Sequence, residues 1–285
     1  MTSKLLPYIH LLRLHRPLPI LLLLWPTYWA LWIAAGGMPP LKILVIFTLG
    51  ILLMRSVGGV VNDMADYKLD CLVERTKMRP ITSGKLTLKQ AFLVAAVLSL
   101  IAFGLVCLLN PLTIMLSFCA LALAIFYPFA KRFTYWPQAV LGVAYNFGII
   151  MAFAAIQSRV PAIAWAFLGI ALVWTLSYDT IYALADREDD TKIGIRSTAV
   201  LFGKNAQQCI IGFQCLTLAG LLAVGWILGF GPSYYLSLLV CALLFIFQHR
   251  LINKHNSIAY TKAFSDNHWV GLAIWIGIVM QLGFS

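Results

Sequence analysis

The chain has 285 residues, 61% of them hydrophobic and only 11% charged, with a mean hydropathy of +0.88. Soluble domains run roughly 45–50% apolar and about 25% charged, so a soluble enzyme, a disordered tail and a coiled coil are excluded and a polytopic, all-α membrane protein remains. The net charge of +11 would point to a nucleic-acid partner in a soluble protein, but in a membrane protein the positive-inside bias accounts for it and no nucleic acid is implied.

A bilayer core takes about 20 mostly apolar residues of helix. In chain order the sequence predicts nine spans: 17–36, 43–61, 91–109, 111–128, 137–156, 162–182, 208–228, 233–248 and 268–284. Lys4, Arg13 and Arg16 precede the first span, but its apolar run is too long for a signal peptide and eight more spans follow. Asn110-Pro111 and residues 229–233 mark tight turns. The N-terminus and the even-numbered connections carry 18 Lys and Arg, whereas the odd-numbered connections carry 2, Lys42 and Arg159. This asymmetry predicts a cytoplasmic N-terminus and an external C-terminus. The six cysteines form no CxxC, and the five histidines (His10, His15, His249, His255, His268) share no face. Neither set reads as a metal site or a disulfide framework.

Nine of the ten carboxylates fall in two short segments, 63–74 and 179–190, at the cytoplasmic ends of the second and sixth spans. In the first, Asn62, Asp66 and Asp70 recur every four residues and share a helical face with Arg55. In the second, Tyr182, Asp186 and Asp190 repeat the spacing, with Asp179 seven residues before Asp186. Like charges at i, i+4 destabilise a bare helix, so a cationic partner is expected. A solvated helix end is the plain alternative for one such pair, but two pairs in so acid-poor a chain point to function, as ionisable residues at a membrane boundary generally do. Carboxylate oxygens suit Mg²⁺, which binds through one or two carboxylates plus substrate phosphates. Arg55, Lys68, Arg75, Arg79, Lys131, Arg132, Lys192 and Arg196 flank the acids. Acids for Mg²⁺ beside bases for an anion suggest a bridged phosphate ligand. The positive-inside bias alone explains most of these bases, but Arg55 lies within a span and has no topological reason to be there.

These motifs, with Arg75-xxx-Arg79-Pro80 between them, resemble the UbiA superfamily of intramembrane prenyltransferases. Within it, VNDMAD at 61–66, YPFAKR at 127–132, YDTIYA at 178–183 and DREDDTKIGIRST at 186–198 are similar to the bacterial 4-hydroxybenzoate polyprenyltransferases. The resemblance implies one transmembrane domain over 1–285 in the bacterial inner membrane, with the C-terminus periplasmic. Its two pseudo-repeated halves would each carry one Asp motif, at 62–70 and 182–190. It also implies nine helices ringed around a central cavity, capped by short cytoplasmic helices in the second and sixth loops. By position, Asp66, Asp70, Asp186 and Asp190 match the Mg²⁺–diphosphate aspartates and Asn62 the first-motif amide. Arg55 and Lys68 match basic positions near the diphosphate, and Arg132 the arginine near the aromatic acid.

The implied reaction joins a polyprenyl diphosphate to the ring carbon ortho to the hydroxyl of 4-hydroxybenzoate, with Mg²⁺ neutralising the leaving diphosphate. Water must be kept from the allylic cation, and aromatic faces can stabilise it. Tyr145, Tyr178 and Tyr182 are the candidates. Three rivals stay open on the residues alone: a prenyltransferase for another acceptor (dihydroxynaphthoate, haem or homogentisate), a divalent-cation transporter, and a head-group phosphotransferase. A transporter would want its acids near the midplane of broken helices, and the phosphotransferase start Asp-Gly-x-x-Ala-Arg is missing.

Overall fold

Backbone polar groups in lipid must be satisfied within the segment that carries them, which helices do. The structure, a computed structural model, describes residues 2–15, 18–72 and 76–283, and every regular element among them is helical. In order these are α1 (Thr2–Leu11), α2 (Leu18–Ala35), α3 (Leu41–Asp70), α4 (Leu88–Val106), α5 (Pro111–Ala130), α6 (Pro137–Asn146) and α7 (Gly148–Gln157). They continue as α8 (Ala162–Leu184), α9 (Arg187–Ile193), α10 (Thr198–Phe202), α11 (Ala206–Ile227), α12 (Pro232–Ile252), α13 (Ser257–Ser265) and α14 (Asn267–Leu282).

Among the described residues eight stretches are long and apolar enough to cross a membrane, with α6–α7 counted as one and α10–α11 as another. The ninth predicted span forms α14, whose 16 residues reach only about 24 Å at 1.5 Å per residue. It is nevertheless fully part of the bundle. Neighbour packing runs α2–α3–α4–α5, through α6 to α8, then α11–α12–α14 and back to α2, which closes a ring. Two tryptophans fasten its core: Trp29 Nε1 donates to the Gly271 carbonyl at 2.9 Å and Trp174 Nε1 to Asn267 Oδ1 at 3.1 Å.

The ring is uneven. α2, α7, α8, α12 and α14 share the main core, whereas α4 and α5 bury few side chains and touch each other least of all the ring neighbours. Local sequence sets their ends. Thr87 and Gln90 form a reciprocal capping box at the start of α4. Asn110 caps α5 by accepting from Thr113 N at 3.0 Å, while its amide donates to the Ala154 carbonyl at 2.7 Å.

Three expectations change. The second span does not stop at residue 61: α3 runs unbroken to Asp70, so the first motif rides on the helix itself. The second motif is not one helical face, because α8 ends at Leu184 and α9 restarts after Asp186, whose φ of −109° and ψ of 0° are not helical. At the break, Ala185 N and Asp186 N bond three residues back, to Tyr182 and Ala183. The new first turn then holds Glu188, Asp189 and Asp190, where negative charge is favoured by the helix dipole. Lastly, capping helices occur in the sixth connection (α9, α10), but the described part of the second, 71–72 and 76–87, consists of turns.

Candidate active site

The last three turns of α3 carry Asn62, Asp63, Asp66 and Asp70 to one end of the ring. Asp63 is 2% exposed and Asp66 1%, a depth at which a carboxylate needs partners. Each has a base. Lys131, just past the end of α5, pairs with Asp66 Oδ2. Arg79 Nη1 bridges Asp70 Oδ2 at 2.7 Å and Asp63 Oδ1 at 3.1 Å, and Thr76 Oγ1 donates to the Asp70 carbonyl at 3.0 Å, folding the second connection against the helix end. Arg13, in a left-handed turn with φ of 55° after α1, places Nη2 2.6 Å from Asp63 Oδ1. Burial works against the Arg13 charge, but the Asp63 carboxylate more than offsets it and holds the guanidinium above its ordinary pKa.

Behind this polar end lies a cavity of about 650 Å³ lined by α2, α3, α4, α5, α6 and α7. Arg13, Arg55, Asn62, Tyr127 and Tyr145 line it among mostly apolar side chains. Arg55 is 6% exposed and its Nε has no hydrogen-bond partner. Tyr127 donates its hydroxyl to Asn62 Oδ1 at 3.4 Å and stands edge-on to Tyr145, 6.4 Å between ring centroids. The side wall is thin: Leu100 and Phe118 line the cavity yet are 70% and 56% exposed. The cavity therefore opens sideways at α4 and α5, toward lipid. A smaller pocket at the rim, about 600 Å³, is lined by Lys68, Lys131, Arg132 and the 194–195 turn.

The predicted site residues divide accordingly. Asp66, Asp70, Asn62, Arg55, Arg79 and Tyr145 gather at the cavity and its polar end. Lys68 and Arg132 stand at the rim, Arg132 donating Nη2 to the Ala65 carbonyl at 2.6 Å with its guanidinium 5.2 Å from the Phe129 ring. Asp186 and Asp190 are half-buried at the α8–α9 break, and Tyr182 lies against Phe264 with ring centroids 4.8 Å apart. Tyr178 does not line the cavity: it is buried in the core, its hydroxyl 3.0 Å from Thr175 Oγ1 and its ring edge-on to Trp174. Lys192 points outward and pairs with Asp189 at 3.5 Å on the exposed side of α9. Arg75 lies outside the described residues. Sequence reasoning assigned no site role to Asp63, Arg13 or Tyr127. Asp63 is off the Asp66 stripe, Arg13 read only as a topological charge, and no spacing rule links residue 13 to residue 63.

The donor set suits a divalent cation. Asp66 Oδ1 is buried without a hydrogen-bond partner, an acceptor left over after Lys131 is satisfied. Among the described residues no three His, Cys, Asp or Glu side chains close into a ready-made metal cage.

Fold and site together define an integral-membrane helical enzyme scaffold: an apolar chamber open to lipid, closed at one end by paired acids and bases. The sequence matches the UbiA prenyltransferase family over residues 23–277, and the chain belongs to that family. It is 52% identical over 279 residues to a 4-hydroxybenzoate octaprenyltransferase of Hydrogenovibrio crunogenus, covering 98% of both chains. It is 50% identical to that of Azotobacter vinelandii, covering 97% of this chain and 94% of the relative. A UbiA homologue from Aeropyrum pernix K1 shares the fold with a TM-score of 0.80 at 24% identity, over 91% of this chain and 97% of that one. A homologue from Archaeoglobus fulgidus, solved with GPP and Mg²⁺, superposes with a TM-score of 0.70 at 17% identity, over 96% and 99%.

Proposed function

We propose that the chain transfers a polyprenyl group from polyprenyl diphosphate to the carbon ortho to the hydroxyl of 4-hydroxybenzoate, releasing diphosphate, as a step of ubiquinone biosynthesis. The observation that carries this reading is the shape of the site: a side-opening apolar cavity whose polar end pairs Asp66 with Lys131 and Asp70 with Arg79. An amphiphile with a hydrocarbon tail and a diphosphate head fits both halves at once. The relatives' named activity supplies the acceptor.

Asp66, Asp70, Asp186 and Asp190 hold Mg²⁺ in this reading. Bound Mg²⁺ supplies neutralisation of the charge that grows on the diphosphate as the allylic C–O bond breaks. The chain's own residues do the rest. Lys131 and Arg79 turn from their carboxylates to phosphate oxygens, which frees Asp66 and Asp70 for the cation. Tyr127 and Tyr145 face the cavity, where their rings shield an allylic cation from water. Arg132, at the rim beside Lys68 and Lys131, takes the acceptor's carboxylate. The polar end faces the cytoplasm of a bacterium and the C-terminus the periplasm.

Membranes containing the protein, supplied with 4-hydroxybenzoate and labelled prenyl diphosphate, should form prenylated acid with Mg²⁺ and none in excess chelator. Dihydroxynaphthoate and homogentisate should be poor acceptors. Preference for either of them would reassign the acceptor while leaving the donor site in place.

A further inference from the structure

The Pro137–Gln157 span is interrupted halfway, between α6 and α7, and a polar side chain sits at the break. Asn146 is fully buried, is not among the cavity-lining residues, and directs its amide at α8. Its Nδ2 donates to the Gly142 carbonyl at 2.8 Å, to Thr175 Oγ1 at 2.9 Å and, at a longer 3.3 Å, to the Ala171 carbonyl. Thr175 donates its own proton to the Ala171 carbonyl at 2.8 Å, so it can only accept from Asn146, and the amide orientation is fixed. The other end, Oδ1, is buried with no hydrogen-bond partner among the described residues. Packing alone is better served by an apolar side chain of the same shape than by an orphaned carbonyl oxygen at this depth. The anchor therefore calls for a function.

What it anchors is the aromatic wall of the chamber. Its neighbours on both sides, Tyr145 and Phe147, line the cavity. The Tyr145 hydroxyl enters no hydrogen bond among the described residues. The ring is therefore aimed by the backbone that carries it, and Asn146 ties that backbone to α8. Tyr145 meets Tyr127 edge-on, 6.4 Å between ring centroids. Tyr127 in turn reaches Asn62, one turn of α3 or about 6 Å deeper than Asp66. A donor held by its head at Asp66 and Asp70 brings its allylic carbon to this pair of rings.

We propose that Asn146 is a positioning residue that aims Tyr145 at the allylic carbon and so sets whether the cation is captured by the aromatic acceptor or by water. The inference rests on the prenyl transfer proposed above. The allylic C–O bond breaks with its electron pair on the diphosphate. In the productive branch a ring electron pair forms the C–C bond, and the C–H electron pair then restores aromaticity as the proton passes to a diphosphate oxygen. In the competing branch a water lone pair forms a new C–O bond, a proton passes to solvent and a prenyl alcohol is released. A displaced Tyr145 ring leaves room for water beside the cation and tips capture to the second branch.

The test supplies membranes with labelled prenyl diphosphate, Mg²⁺ and 4-hydroxybenzoate, and measures prenylated acid, prenyl alcohol and released diphosphate together. Asn146→Leu, which keeps the shape and removes the amide, should lower acid formation by about ten- to a hundredfold. Diphosphate release should fall by less, with the difference recovered as alcohol. Tyr145→Leu should show the same partition. Thr175→Val, which removes one acceptor of the amide and leaves the cavity wall intact, should move the partition the same way and less far. Binding of an unreactive prenyl thiodiphosphate analogue should be unchanged in Asn146→Leu and Thr175→Val, reporting an intact fold and donor site. A rate loss at the wild-type partition would overturn the proposal, since a merely structural anchor predicts that result, and so would wild-type acid formation in Asn146→Leu. Where Asn146→Leu fails to bind the analogue, Thr175→Val carries the same comparison, and an unchanged partition there overturns the proposal. A wild type that prenylates another acceptor in place of 4-hydroxybenzoate would overturn the function above, and the partition measured on that acceptor still decides the role of Asn146.

Discussion

Asp66 keeps one oxygen on Lys131 and leaves the other buried without a partner, so the free enzyme stores an acceptor that only a cation or a donor group can satisfy. Buried unsatisfied polar atoms are costly, and this one sits where the proposed Mg²⁺ is needed. Asp66→Asn removes the charge that Lys131 faces, and Asp186→Asn the matching charge on the opposite motif. Either should cost several kcal/mol of transition-state stabilisation, with about 1.4 kcal/mol for each tenfold in rate. Turnover measured at saturating Mg²⁺ checks this, and near-wild-type activity in either variant would remove the aspartates from the chemistry. Arg132 poses a different question, because its guanidinium rests on the Ala65 carbonyl at 2.6 Å while it lines the rim pocket where the acceptor's carboxylate is proposed to bind. A charged hydrogen bond is worth roughly 1.5–3 kcal/mol, so Arg132→Ala should weaken use of 4-hydroxybenzoate by about ten- to a hundred-and-fifty-fold. Arg132→Lys should recover only part, since an ammonium lacks the guanidinium fork. KM for each substrate, measured separately, decides the role. A loss confined to the diphosphate would move Arg132 to the phosphate pocket, and no loss on either would leave it a topological charge.

Between elements, close approach is what holds the ring shut, and glycines permit it. On α14, a Cβ at Gly271 would stand 2.8 Å from Trp25 Cγ and 2.9 Å from its Cβ, in the place where Trp29 bonds the Gly271 carbonyl. Gly271→Ala must therefore push α2 from α14, and overpacking of this kind costs typically 1–3 kcal/mol. Thermal unfolding in detergent should show a lowered midpoint, while the folded fraction still binds prenyl diphosphate, because Gly271 is not among the residues that line the cavity. An unchanged midpoint would mean the seam yields freely. Such contacts were invisible beforehand, since no spacing pairs residue 25 with residue 271. What hydrophobicity does expose is the run of each span, and each of the nine predicted segments is helical over most of its described residues. It fails at ends and breaks. Polar residues end the apolar run of α3 at 61, yet the backbone ladder continues to Asp70. Nothing in residues 137–156 signals the interruption at Phe147 between α6 and α7, where Gly148 lets Thr27 approach. The aspartate stripe was legible for Asn62, Asp66 and Asp70 because a single helix carries it. It was misread at Asp186 because i, i+4 spacing cannot report a restart.

At the scale of the whole molecule, the site, the cavity and the charge asymmetry all follow one axis, and that axis decides which compartment supplies the acceptor. The aspartate end of α3, the α8–α9 break and the rim bases Lys68, Lys131 and Arg132 lie on the side that carries 18 of the 21 Lys and Arg, against Lys42 and Arg159 on the other. Cations near span ends are retained in the cytoplasm, so the bases proposed to meet the diphosphate would also orient the protein. The α1 helix supports the same placement. It turns exposed Leu5, Leu6 and Ile9 outward and packs Leu11 and Tyr8 against α3, as a helix lying on the membrane surface would, while Arg13 ties that surface to Asp63. The orientation is tested by fusing a reporter active only in the periplasm at two sites. Fusion at Gly283, after α14, should give signal, and fusion at Lys77, in the second connection, should give none. An odd number of crossings is required for that pattern, so α14 must span despite its 16 residues. Silence at both sites would mean that α14 turns back, leaving eight crossings and a cytoplasmic C-terminus. Signal at Lys77 and none at Gly283 would invert the molecule and put the diphosphate site in the periplasm.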